Sequence, residues 1–253
     1  MALELSTILF AVTAIIVGST LQRVSGAGVG LVVAPTLAIL LGPSIGVFAT
    51  NCVTIVSAAM LMFVRRREIE WRKAGIILLT AIPGSFAGAW LVRELSPAWL
   101  DITIGGIVMV ALTVTLTANR LSAENVPGGI GVAGVIGGLF NTTAGIAAPA
   151  LVVYSRLANW RQPKFGATLQ PIFFGMGILS VLTKSMLGST GFDATPEWWL
   201  LFVVIGAVSV GIGIGHVLSR RITPLTATRL ALAVAGLGGL VAIIRGLGIL
   251  LTA

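Results

Sequence analysis

Apolar runs divided by short polar joints constrain this chain more than any other feature. Ten such segments can be marked, at roughly 5–21, 27–42, 44–64, 73–92, 99–118, 128–140, 144–158, 165–187, 198–218 and 226–251. A helix needs about 20 apolar residues to cross a bilayer, and most of these runs reach that length. The second, sixth and seventh fall short and read as half-helices, tilted helices or re-entrant pieces. With 57% hydrophobic and 9% charged residues, the chain carries far less charge than the ~25% usual in soluble domains. Only lipid can solvate that much apolar surface. The expected fold is therefore all-α, a polytopic integral membrane protein. The first ten residues, MALELSTILF, have no basic region ahead of the apolar run, so they read as a retained first span rather than a cleaved signal.

Two stretches interrupt the apolar pattern with small polar residues and glycine: Gln22 to Gly30, QRVSGAGVG, and Asn141 to Ile146, NTTAGI. Inside a membrane, irregular backbone survives only where protein buries it or a wet cavity faces it. Broken or re-entrant helices are therefore expected near 22–30 and 141–146. A half-helix starting after each break, near Ala27 and Ala144, would aim unpaired backbone N–H groups at an anion. Ser25, Thr142 and Thr143 offer hydroxyl donors. Gly26, Gly28 and Gly145 would admit an anion close to the backbone; the plainer reading is that they let helices cross. On this view, bulky residues at Gly28 or Gly145 should abolish transport more readily than expression. Gln22, Arg23 and Asn141 complete the candidates at the breaks. Arg23 is either a cavity cation or an interface residue at the end of the first segment. Asn51 and Gln170 are placed by the repeat described next around a common axis. Lys184 reads as an interface residue at the end of segment eight.

The chain repeats itself. At an offset of 117, Gly28-Val29 matches Gly145-Ile146, Phe48 matches Phe165 and Asn51 matches Thr168. After an insertion around GSTGFDATPE the offset becomes 127, and Trp71, Gly84, Gly88, Leu91, Arg93 and Pro97 fall on Trp198, Gly211, Gly215, Leu218, Arg220 and Pro224. The halves are 1–120 and 121–253, joined through RLSAENVP (Arg120 to Pro127). Basic residues bias loops toward the cytoplasm. Arg65, Arg66, Arg67, Arg72 and Lys73 place the loop after segment three inside. The equivalent loop in the second half, with Asp193 and Glu197, is placed outside. The halves thus read as two inverted repeats of about five helical segments each, with both termini non-cytoplasmic.

The motifs SGAGVGLVVAPTLAILLG (Ser25 to Gly42), GVFATN (Gly46 to Asn51), RRREIEWRKA (Arg65 to Ala74), GLFNTTAGIAAPALVVY (Gly138 to Tyr154) and KFGAT (Lys164 to Thr168) resemble the sulfite exporter TauE/SafE family. The resemblance covers nearly the whole chain. It implies an inner-membrane, multi-pass secondary transporter of a small anion, with sulfite or an organosulfonate the leading class. Members of that family move such anions outward or inward. With the carboxylates and His216 at segment ends or in loops, nothing carries a proton through the centre, so potential-driven export is expected, by alternating access around substrate held at the two breaks.

Other classes fit less well. An anion channel would show flux too fast for a carrier. An intramembrane serine hydrolase built on Ser25 and His216 lacks a glycine at the usual place before the serine, and His216 lies beside Arg220 and Arg221. Cys52, the single cysteine, excludes an internal disulfide framework. One histidine, one cysteine and scattered carboxylates provide no metal site, and no cofactor is expected. The net charge of +8 sits in short loops, which reads as orientation in a membrane and not as a nucleic-acid surface. The expected partners are the anion, the bilayer and, as a possible homodimer, a second copy. Trp71, Trp99, Trp160 and Trp198 read as interface anchors. The eight carboxylates, Asp101 included, fall at segment ends or in loops.

Overall fold

The computed structural model describes residues 4–117, 127–192 and 198–252. These form ten α-helices: α1 Leu5–Ser25, α2 Val29–Leu41, α3 Pro43–Val64, α4 Trp71–Glu94, α5 Pro97–Thr117, α6 Gly129–Ala144, α7 Ala148–Leu157, α8 Gln162–Met186, α9 Trp199–Leu218 and α10 Pro224–Thr252. Among the described residues there is no strand. Seven helices (α1, α3, α4, α5, α8, α9 and α10) are long and apolar enough to cross a membrane. Most of the Arg120–Pro127 joint, together with Glu124, Asp193 and Glu197, lies outside the described residues.

Local chemistry explains the boundaries. Proline opens α3, and Pro149 and Pro163 sit in the first turns of α7 and α8, where a missing N–H breaks no helical bond. α1 and α6 end on left-handed glycines, Gly26 at φ 88° and Gly145 at φ 72°, whose N–H groups bond back to the Gln22 and Asn141 carbonyls. Side chains such as Phe202, Leu237 and Leu251 point outward from α9 and α10, as a lipid-facing wall requires.

Close helix contacts come from the glycine spacings. A methyl group at Gly84 would lie 2.0 Å from the Val135 carbonyl oxygen, and one at Gly88 would lie 2.9 Å from that of Leu139, so α4 rests backbone to backbone on α6. Gly211 and Gly215 of α9 do the same against Ile16 and Thr20 of α1. Other pairings also recur under exchange of the halves: α1 with α2 and α6 with α7, α2 with α10 and α5 with α7, α3 with α9 and α4 with α8. α3 runs antiparallel to α8: Arg65 at its end donates to the Pro163 carbonyl at 3.0 Å, while Ser44 near its start faces Gly191 beyond α8. α5 likewise runs antiparallel to α10, with Asp101 against Arg245 and Gly105 against Gly239.

Two expectations are corrected here and one is sharpened. Asp101 does lie near a segment end, a turn into α5, but it is buried at 2% exposed and chelates Arg245 with both oxygens at 2.7 and 2.6 Å. The same guanidinium donates to the Ala38 and Ile39 carbonyls in the last turn of α2. Trp160 is buried against Tyr154 and Phe165 with Lys73 over its ring, whereas Trp71, Trp99 and Trp198 are exposed. Lys184 is wholly buried instead of reaching an interface.

Candidate functional site

The two breaks meet at the centre of the molecule. α1 and α6 continue through Ser25 and Ala144, so the irregular backbone is confined to residues 26–28 and 145–147. Gln22 and Asn141 each lie four residues before the left-handed glycine, and each is held by an amide from the opposite half. Gln22 Nε2 donates to Gln170 Oε1 of α8 at 3.0 Å, and Asn141 Nδ2 donates to Asn51 Oδ1 of α3 at 2.7 Å. Ser57 donates to Gln22 Oε1 at 3.3 Å, while Asn141 reaches the Met176 carbonyl at 3.1 Å. Gln22 with Asn141, Gly26 with Gly145, Asn51 with Gln170 and Ser57 with Met176 are all 119 residues apart. Up to α8, the geometric correspondence therefore replaces the offset of 117 read from residue identity. Gly145 answers to Gly26, not Gly28.

A small cavity of about 20 Å³ lies between the breaks, lined by Gln22, Gly28–Leu31, Asn141 and Gly145–Ala148. Neither α2 nor α7 has a side-chain cap, so the free N–H groups of two helix starts border one space. That volume holds roughly one water. A second cavity of about 560 Å³ leads from it to the end carrying Arg65. Among the described residues its walls include Arg23, Arg65 and Arg156 and no carboxylate. Gln22, Ala27, Leu31 and Ala148 belong to both spaces. Arg65 is paired with Glu68 at 2.7 Å, so the positive potential that concentrates anions in the recess comes chiefly from Arg23 and Arg156. In the joint before α4, burial works against the charge of Glu70. Hydrogen bonds from Lys73 and the Trp160 N–H, with Lys164 nearby, outweigh that and hold the carboxyl below its usual range.

Other candidates lie elsewhere or are already engaged. Ser25 directs its hydroxyl to the Leu21 and Ala27 carbonyls at 2.7 and 2.9 Å. His216 meets Arg23, not Ser25, at 3.3 Å. Thr142 and Thr143 are buried near Gly88 of α4, line neither cavity, and their hydroxyls have no partner. Gly28 is a packing position as well as a cavity wall: a methyl there would lie 2.4 Å from the Gln22 nitrogen. Gly28→Ala should therefore lose folded protein, by about 1–3 kcal/mol or more of overpacking. Wild-type yield and monodispersity on size-exclusion chromatography would refute this. Bulky substitution there cannot separate binding from folding. Arg156 was legible from sequence only as loop charge. The useful signal is its place in the last turn of a short segment that follows a break.

The chain matches the family model described as Sulfite exporter TauE/SafE over residues 10–243. No curated protein and no solved structure matches it.

Proposed function

The chain belongs to the sulfite exporter TauE/SafE family, and on that premise we propose that it is a secondary carrier exporting sulfite or an organosulfonate by alternating access. The observation that carries this reading is the wide recess whose described walls hold Arg23, Arg65 and Arg156 and no carboxylate, ending at two uncapped helix starts. An anion entering the recess exchanges water for guanidinium groups and backbone amides. Gln22, Ser25, Gly26 and Gln170 form the inner wall of that path. Gly28, Asn141 and Gly145, with Asn51 holding Asn141, are proposed to act where the anion passes the breaks. The inner cavity must widen to admit even a small oxyanion, which is the motion alternating access supplies.

Antiparallel packing of α3 on α8 and of α5 on α10, with the exchanged pairing of the other helices, supports two inverted repeats, 1–120 and 121–253. The basic end of the recess is then cytoplasmic and both termini are not. Reactive tags between Arg65 and Lys73 should be shielded from external reagents on intact cells, while a tag at Gly191 should react. Both loops reacting from one side would sink the inverted arrangement. The functional test is flux into proteoliposomes with a panel of sulfur oxyanions, sulfonates and carboxylates. Saturable transport restricted to sulfur anions is expected. Carboxylates moving equally well would overturn the substrate class, and flux too fast for a carrier would indicate a channel.

A further inference from the structure

Lys184 is the least expected side chain in the molecule. It is 0% exposed, on the last turns of a membrane-spanning helix, and its ammonium has no hydrogen-bond partner. One turn earlier on the same face, the Ser180 hydroxyl is also buried and unpartnered. Buried polar atoms in this state are rare, and an unpaired buried cation is rarer. Among the described residues no carboxylate pairs with it, and the salt bridges there use other cations.

The correspondence of the two halves gives these atoms a place. The offset of 119 that relates Gly26 to Gly145 and Asn51 to Gln170 also sets Leu61 on Ser180, Val64 on Thr183 and Arg65 on Lys184. Leu61, Val64 and Arg65 line the open recess. Ser180, Thr183 and Lys184 are all buried. Gln162 and Lys184 are 22 residues apart on one helix, about 33 Å at 1.5 Å per residue, so Lys184 lies at the opposite end from the recess. The segment after α8 turns back toward the start of α3. Ser189 N–H bonds to the Lys184 carbonyl at 2.9 Å, Gly191 packs on Ser44 and Ile45, and Phe192 stands edge-on to Phe48 at 5.6 Å.

We propose that Lys184, with Ser180, is the anion-receiving wall of a second vestibule, closed in this structure, that opens at this end when the first one closes. It would do there for a sulfur oxyanion or sulfonate what Arg65 does at the open end. Its present lack of a partner follows, because the anion is the partner and this side is shut. The inference rests on the carrier reading and adds the residue that serves its other state.

Two measurements on the full chain test it. The protein has three lysines, Lys73, Lys164 and Lys184. A membrane-impermeant amine-reactive ester can therefore be mapped by peptide mass spectrometry in sealed vesicles. Lys184 should react from the face opposite to Lys73 and Lys164, and flux should fall in step with its modification. K184M keeps the length of the side chain and removes the charge; replacing a buried charge by an apolar isostere is often neutral or stabilising. K184M should fold, yet lose flux by at least roughly tenfold, the scale of removing one member of a buried charge pair. K184R should restore flux. Wild-type flux with K184M flux unchanged overturns this inference alone, as does transporting wild-type protein whose Lys184 stays unreactive from both faces. Should K184M fail to fold, the labelling of the wild-type protein decides. Wild-type protein that moves no sulfur anion overturns the carrier reading, and the inference with it.

Discussion

Arg245→Met is expected to lower the apparent melting temperature in detergent by roughly 6–12 °C, the shift that about 3 kcal/mol produces in a chain of this size. The argument follows from what Arg245 holds. Its guanidinium makes a bidentate pair with Asp101 and also donates to the Ala38 and Ile39 carbonyls. Those carbonyls belong to the last turn of α2, where no further helical N–H is available. Removing the arginine leaves a carboxylate that is 2% exposed without its cation and two carbonyls without donors. Breaking a buried pair from one side typically costs about 3–5 kcal/mol. Asp101→Asn should cost less, because the amide oxygen still accepts one of the two bonds. R245M with an unshifted melting temperature would show that the clamp contributes nothing to α2. Since α2 begins at the first break, a loosened clamp should also blur the geometry of its N-terminus.

That clamp shows what could and could not be seen in the sequence. Apolar run length located all ten helices, because a bilayer enforces it residue by residue. Left-handed caps explain the breaks, though the polar stretches around them overstate their extent: Gln22 to Ser25 and Asn141 to Ala144 are helical. A glycine can serve as a cap, a crossing point or a close approach, and its letter does not say which. Matching Gly28 to Gly145 by identity therefore missed the 119-residue register that the amide pairs reveal. Arg245 stands within the last apolar segment, where no motif or repeat marks it. A lone arginine in a long apolar helix implies a buried partner, and that signal was available. Lys184 was not legible as buried. Its position at a helix end suggests an interface, but residues 189–192 return past it to pack on Phe48 and Ser44, a fold-back that the sequence does not announce. Thr142 and Thr143 looked like anion donors because they adjoin the break. Helical periodicity turns them toward Gly88 instead.

The second large effect concerns energy. An imposed potential of 100 mV, negative on the side that holds the recess, should change the equilibrium distribution of a transported monovalent anion by roughly fiftyfold, since each charge gains about 2.3 kcal/mol. The reasoning starts from the cations. Arg23, Arg65 and Arg156 at one end and Lys184 toward the other belong to fixed helices, so they meet the anion without travelling with it. The charge that crosses is then the anion's own. In a cell that is negative inside, such an anion is already driven outward, and an exporter needs no coupling ion. Uptake would need one, or an exchanged anion. The measurement is flux in sealed vesicles with an ionophore-clamped potential and no pH gradient, followed by the converse arrangement. Export should follow the potential, and K184M should slow the approach to equilibrium without changing the final ratio. Flux that ignores the potential but follows an imposed pH gradient would overturn this mechanism. It would direct attention to a proton carried by Lys184 or by His216 beside Arg23, or to the protonated form of the substrate itself.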